Sequence, residues 1–258
     1  MKKDEQGDKS NSPLLRGLAI LQTIAESPRA LTVADLIEEL DIPKPTLHRI
    51  VSQLEEAGYI QGEPNRRLTL GSRLKDIAFN VNTNRYATAP RHAILKALSR
   101  EINETCNCIL LDGDHTVYFD RVESEWPYRI DLKIGSHLPL HCTASGKLFL
   151  SHLPASQRKK LISATHLKRY TERTITDIAY LEEELKRTKE AGIGIDNEEF
   201  IAGMVAVSVP VFDATNKLCF AVAVHAPAIR KPLAELRQYI PTLKRAAAAM
   251  GLLYDESV

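Results

Sequence analysis

The stretch "PKPTLHRIVSQLEEAG" at residues 43–58 limits what this chain can fold into more than any other. Proline is tolerated in the first turn of a helix, where backbone N–H groups have no intrahelical partner, but not further in. Pro43 and Pro45 therefore mark a helix start, and Gly58 marks a stop. Counting about 100° per residue from Leu47, the side chains of Ile50, Val51 and Leu54 share its face. Pro45, Arg49, Ser52 and Glu56 face away, with His48 and Gln53 on the flanks. Such a helix is anchored by one flank and offers the other to solvent or a partner.

The neighbours of this helix restrict the choice further. Leu14, Leu18, Leu21 and Ala25 predict a helix over 13–27, with Pro13 near its start and Ser27-Pro28 as its stop. In "LTVADLIEELDIP", Thr32 can cap a short helix, Asp35 three residues on completes a carboxylate variant of the capping box, and Val33, Leu36, Ile37 and Leu40 form a stripe. After Gly58, "YIQ" and "RLTL" read as short strands about the turn "GEPNR". Three helices followed by a two-stranded ribbon is the order of a winged helix-turn-helix. In that arrangement the third helix enters the major groove N-terminus first, and the ribbon lies beside the backbone or the minor groove. A three-helix packing module with a polar outer face has the same periodicity, but it does not call for the ribbon. The candidate DNA face is Thr32, Lys44, Pro45, Thr46, His48, Arg49 and Ser52, with Arg66 and Arg67 on the wing; Arg49 and His48 are best placed to read bases.

Charge neither supports nor opposes this. The 258-residue chain has a formal net charge of +1, and only the span 43–75 tips basic, with Lys44, Arg49, Arg66, Arg67, Arg73 and Lys75 against Glu55, Glu56 and Glu63. The length allows two domains with separate cores. No apolar run approaches a membrane span, and "MKKDEQGDKSNSP" is polar where a signal peptide is apolar, so the chain is expected in the cytoplasm with residues 1–12 frayed. Four cysteines, Cys106, Cys108, Cys142 and Cys219, suit buried thiols in a reducing compartment.

Beyond the ribbon, 72–87 reads as a helix leaving the wing and ending in the polar "NTNR"; its Leu74, Ile77, Ala78 and Val81 can pack on the first helix or across a dimer. Then the pattern changes class. An amphipathic helix "APRHAILKALSREINET" precedes two strands about a "DGD" turn, strand signals in "RIDLKIGSHLPLHC", and helices from "TASGKLFLSHL" and "IAYLEEELKRTKEAG". Three strands, "GIGIDNEEF", "MVAVSVPVFD" and "KLCFAVAVHAP", and one closing helix over 233–253 complete it. Strands and helices without regular alternation predict an α+β domain around an antiparallel sheet.

Three segments, "LTVADLIEELDIPKPTLHRIVSQLEEAGYI…RLTLG", "PLHCTASGKLFLSHLP" and "GIDNEEFIAGMVAVSVPVFD", resemble the IclR family of bacterial transcriptional regulators. The resemblance runs from about residue 13 to the last helix. It implies a winged helix-turn-helix domain over 11–72, a linker helix over 73–87, and a GAF-like effector-binding and oligomerisation domain over 88–258. It also implies dimers or dimers of dimers on double-stranded operator DNA, with no cofactor. Matched by position, the effector pocket falls on the loop "HCTASG" (His141, Thr143, Ala144, Ser145), on Asp196, and on Ala206, Ser208, Ala223 and His225 of the last two strands. A helix N-terminus beside Ser145 can hold a carboxylate, so the expected effector is a small carboxylate or aromatic acid from a catabolic pathway.

Other chemistries fit less well. "ASGK" lacks the leading glycine and the Ser or Thr after the lysine that a phosphate loop needs, and Ser145 is not in a G-x-S-x-G elbow, so no enzyme is expected. A metal- or redox-responsive site built from His141, Cys142, Asp196, Cys219 and His225 is the alternative, without the close ligand spacing of a structural zinc site. The single tryptophan, Trp126, is expected to plug the sheet edge or a dimer contact rather than wall the pocket.

Overall fold

The computed structural model describes residues 12–27, 29–83, 85–127 and 132–253, with backbone alone for 82, 83 and 85–88. The stop signal at Pro28 and the strand signals at 129–131 lie outside these residues, as does the chain before Ser12. The chain divides into two compact units, one up to Asn82 and one from Thr83.

In the first unit, α1 (Pro13–Glu26) is followed by a two-residue strand β1 (Leu31–Thr32), α2 (Val33–Glu39) and α3 (Lys44–Glu56). A ribbon of β2 (Ile60–Glu63) and β3 (Arg67–Leu70) leads into α4 (Ser72–Thr83). The ribbon gains a third strand that the sequence reading lacked: β1 pairs with β3, giving the order β1-β3-β2. Two residues are too few to show a period. The core is wholly apolar, built from Ile20, Ile24, Leu31, Leu36, Ile42, Leu47, Ile50, Val51, Ile60 and Leu68. On α1 the buried face is Gly17, Ile20 and Ile24, not the expected stripe; Leu14, Leu18 and Ala25 stay exposed. This helix is apolar on two sides, and the side with Gly17 is the one that approaches Ile50.

The second unit begins with α5 (Arg85–Ile102), which starts ahead of the expected "APRH" and carries Pro90 inside it. Residues 85–87 therefore belong to this helix rather than to the linker. The hairpin β4 (Thr105–Asp112) and β5 (His115–Val122) turns at Gly113, followed by β6 (His137–Pro139), α6 (Ala144–His152), α7 (Ala155–Ala164) and α8 (Ile178–Ala191). Strands β7 (Gly194–Asn197), β8 (Met204–Phe212) and β9 (Leu218–Pro227) come next. The expected single closing helix is broken into α9 (Leu233–Leu236), a 3-10 turn over Arg237–Tyr239, and α10 (Ile240–Leu252), because Pro241 cannot bond back to the preceding turn. Helix α7 went unread, as its Gln, Arg and Lys residues leave little apolar period; only Ile162 is buried.

The six strands form one antiparallel sheet in the order β6-β5-β4-β9-β8-β7. One face, with Cys106, Cys108, Val222 and Val224, packs towards α5 and α10; the Cys108 sulfur lies 4.0 Å from that of Met250. The other face carries α6 over a cluster of Ile109, Tyr118, Leu138, Leu148, Phe149, Ala221 and Ala223. A bulge at Cys108/Ile109 changes the parity of β5, so that Arg121 (opposite Asn107) and Tyr118 (opposite Ile109) both face α6.

Candidate nucleic-acid interface and effector cavity

On α3 the apolar flank is inside and the polar flank is outside. Leu47, Ile50 and Val51 are buried, while Lys44, Pro45, His48, Arg49 and Ser52 are exposed and Thr46 is half-buried. Pro43 stands at the N-cap position and Pro45 in the first turn, where their missing N–H groups cost no intrahelical bond. Arg49 rests its guanidinium 3.3 Å from the Gln53 side-chain oxygen on the exposed side. At the ribbon tip Arg66 and Arg67 are exposed, and Asn65 and Arg66 take positive φ (73° and 57°) to close the turn.

Thr32 differs from the rest of this group. Its hydroxyl donates to Asp35 Oδ2 at 2.7 Å and accepts from the Asp35 N–H, while the Asp35 carboxylate also accepts the Thr32 N–H and two bonds from Arg29. The Arg29 and Thr32 hydrogen bonds hold the Asp35 carboxyl well below the usual range. The structure thus places Thr32 as the capping-box residue of α2, with its hydroxyl engaged locally.

In the second unit a small cavity of about 40 Å³ opens on the α6 face of the sheet. Thr143, Ala144, Ser145, Asp196, Ala206, Ala223 and His225 all line it, together with Tyr118, Leu132, Phe200, Ile201, Met204 and Val205, which sequence reasoning missed. Two expected members lie elsewhere. His141 faces a separate cavity of about 260 Å³ with His115, His166 and Tyr170, its Nε2 3.0 Å from the Lys168 carbonyl. Ser208 is fully buried one row further along the sheet, donating to the Val222 carbonyl at 3.2 Å.

Register explains the convergence. Asp196, Ala206 and His225 pair side by side across β7, β8 and β9, so the small Ala206 separates two titratable groups by two strand spacings, roughly 10 Å. Helix α6 can come down on this row because β7 opens with Gly194; a Cβ there would meet the Ala144 carbonyl oxygen at 1.9 Å. Thr143 caps α6 by accepting the Gly146 N–H, which leaves the Ala144 and Ser145 N–H groups at a helix start with no intrahelical partner.

The electrostatics are those of a buried site. Burial raises the Asp196 carboxyl to about 7, against the Glu199 and Phe200 N–H groups that donate to its Oδ1. Burial, aided by nearby Arg121, depresses His225 to about 3. The turn after Asp196 is tied to α6 by Lys147, 1% exposed, whose ammonium lies 2.5 Å from Glu199 and 3.2 Å from Glu184. Cys106 and Cys108 lie on the opposite sheet face with thiols pushed up by burial. Among the described residues no three His, Cys, Asp or Glu side chains are arranged to hold a metal. Trp126 sits beyond the ends of the central strands β4 and β9 rather than at a sheet edge, under Arg230, its indole N–H donating to the Asn103 carbonyl.

Two family models match this chain: the IclR helix-turn-helix domain over residues 13–64 and the C-terminal domain of bacterial IclR transcriptional regulators over residues 85–251. The chain belongs to the IclR family. It is 40% identical over 248 residues to the probable transcriptional regulator SauR of Cupriavidus necator, covering 96% of this chain and 98% of that one. The Thermotoga maritima IclR crystal structure superposes with a TM-score of 0.62 at 27% identity, over 93% of this chain and 97% of that one. The inducer-binding domain of an Acinetobacter PobR double mutant, solved with 3-hydroxybenzoic acid, matches at 28% identity and a TM-score of 0.57, over 62% of this chain and 94% of that domain. Membership in the IclR family establishes a transcriptional regulator with an N-terminal helix-turn-helix and a C-terminal α+β effector-binding domain. No described helix is long and apolar enough to cross a membrane.

Proposed function

We propose that this regulator reads operator DNA through the outer flank of α3 and the wing, and that a small carboxylate held in the 40 Å³ cavity alters that binding. The observation that carries the ligand reading is the convergence of the α6 N-terminus, Asp196 and His225 on one enclosed space. Helix-start N–H groups favour an anion, while Asp196, as acid or carboxylate, can exchange a hydrogen bond with a hydroxyl or carboxylate of the same ligand. The cavity holds only a few non-hydrogen atoms, far below the roughly 300 Å³ at which pockets for larger organic molecules begin. A short aliphatic hydroxy or keto acid fits it more directly than an aromatic one. The likeness to the PobR domain favours an aromatic acid as a second reading, which requires Leu132, Phe200 and Ile201 to yield.

The regulator acts as a homodimer or a dimer of dimers in this reading. Leu14 and Leu18 on α1 and Ile77 and Val81 on α4 are exposed within the first unit, and a second copy would cover such apolar surface. Ligand changes DNA binding only by preferring one arrangement of the paired heads.

Gel shifts with the chain's own promoter fragments test the DNA half. Arg49→Ala is expected to weaken operator binding roughly ten- to a hundredfold and to leave ligand-induced thermal shifts intact. Thermal-shift screening against short hydroxy and keto acids and 3-hydroxybenzoate tests the ligand half. An absence of any complex with DNA at low salt sinks the regulator mechanism as drawn here.

A further inference from the structure

Behind the cavity lies a chain of side chains that the ligand reading does not use. Arg121 on β5, Asn107 on β4 and His225 on β9 face the same side of the sheet, Asn107 being opposite both Arg121 and Ala223. All three are nine-tenths or more buried. Arg121 Nη1 lies 2.8 Å from the Asn107 side-chain oxygen, and Asn107 Nδ2 lies 3.1 Å from His225 Nδ1.

The chemistry of the first member sets the direction of the rest. A guanidinium can only donate, so the Asn107 atom facing Arg121 must be the amide oxygen. The amide nitrogen then points at His225 and donates, so Nδ1 must accept and carries no proton. The neutral ring therefore holds its proton on Nε2. That Nε2 is buried and has no hydrogen-bond partner in the protein. His225 lines the cavity, whereas Asn107 does not, which puts the ring edge away from Asn107 on the cavity side, with Nε2 itself covered rather than open to it. A buried N–H without an acceptor is unfavourable, and a ligand oxygen would remove that cost.

We infer that Arg121 and Asn107 are positioning residues that lock His225 as an Nε2–H donor, so that the cavity selects ligands presenting an acceptor oxygen at that point and rejects those presenting a donor. Part of this rests on the ligand reading above; the locked tautomer does not. The depressed basicity of His225 agrees with it, since a ring that stays neutral keeps one donor and one acceptor edge. The ligand is then polarised along a line. Its acceptor end meets His225, and a hydroxyl two strands away meets Asp196 across Ala206.

The test uses the full chain labelled with ring-15N histidine and long-range 1H–15N correlation spectra, with the His225 signals identified by their loss in His225→Gln. The expected pattern, before any ligand, is an unprotonated Nδ1 and a protonated Nε2. Asn107→Asp, nearly the same shape, replaces the donor by an acceptor and is expected to draw the proton onto Nδ1. Glycolate, but not hydroxyacetamidine, whose amidinium has the shape of the carboxylate but presents only N–H donors, is expected to shift the His225 Nε2 signal, and Asn107→Leu to weaken glycolate about tenfold. A protonated Nδ1 in the parent protein, or no change of pattern in Asn107→Asp, overturns the lock. The expected tautomer with a signal unmoved by glycolate, acetate or 3-hydroxybenzoate overturns the selection role, while the DNA half of the proposed function stands or falls by the gel shift.

Discussion

The two units of this regulator bury different kinds of residue. Up to Asn82 the core is a set of aliphatic side chains, and every residue assigned to DNA is exposed or half-buried. Among the described residues, all buried polar and charged side chains lie beyond residue 90, including Arg91, Asp120, Arg121, Lys147, Asp196, Glu199 and His225. A unit that meets its partner on its surface needs only a rigid apolar scaffold behind the contact. One that takes a ligand inside must keep polar groups in low dielectric, where each needs a partner.

The largest test of this contrast is Lys147→Met. It leaves Glu199, already raised by burial, without its ammonium, and is expected to destabilise the second unit by about 3–5 kcal/mol in urea unfolding. Adding Glu199→Leu should return most of that loss, because apolar residues can replace a buried pair. If the single variant is as stable as the parent, buried charge is not what distinguishes this unit.

A second test uses pH. The Asp196 carboxyl rises from an ordinary 3.8 to about 7 in the fold, so folding loses stability as pH rises through that window. His225 falls from 6.5 to about 3, so folding loses stability as pH falls through its own. Between about 4 and 6.5 the two slopes oppose and cancel: the folded pair is Asp–H with neutral His, the unfolded pair carboxylate with imidazolium. Relative to the parent, Asp196→Asn should then lose stability towards acid and His225→Gln towards neutrality, each by about 1.4 kcal/mol per pH unit. Parallel curves for parent and variants break the pairing.

In the first unit the expected effects on stability are smaller. Thr32→Ala should cost about 1 kcal/mol through its cap, whereas Arg49→Ala should change unfolding by less than about 0.5 kcal/mol. Thermal melts of the pair sharpen the division between a residue that holds the scaffold and one that faces a partner.

What could be read without coordinates follows the range of the interactions. The presence of the helices of the first unit, the Thr32–Asp35 capping box and the one-sided burial of α3 depend on residues three or four apart, and each stands in the structure as its spacing required, whereas the buried face of α1, a helix apolar on two sides, was left to packing. The α+β character of the second unit was legible for the same reason, since strand and helix periods are local. Family resemblance put Thr143 to Ser145, Asp196, Ala206, Ala223 and His225 at one site, and they do line one cavity. Tertiary structure alone decided which neighbours joined them and which left. Phe200 and Ile201 enter through the turn between β7 and β8, and Met204 at the start of β8. His141 leaves because the loop before α6 turns it towards Tyr170, and Ser208, though paired with the cavity-lining Ala223, because it is fully buried with its hydroxyl bonded to the Val222 carbonyl. The bulge at Cys108/Ile109 brings Arg121 onto the cavity side of the sheet. No spacing in the chain encodes that, because a strand's face depends on the partner it pairs with, and the partner lies far off in sequence.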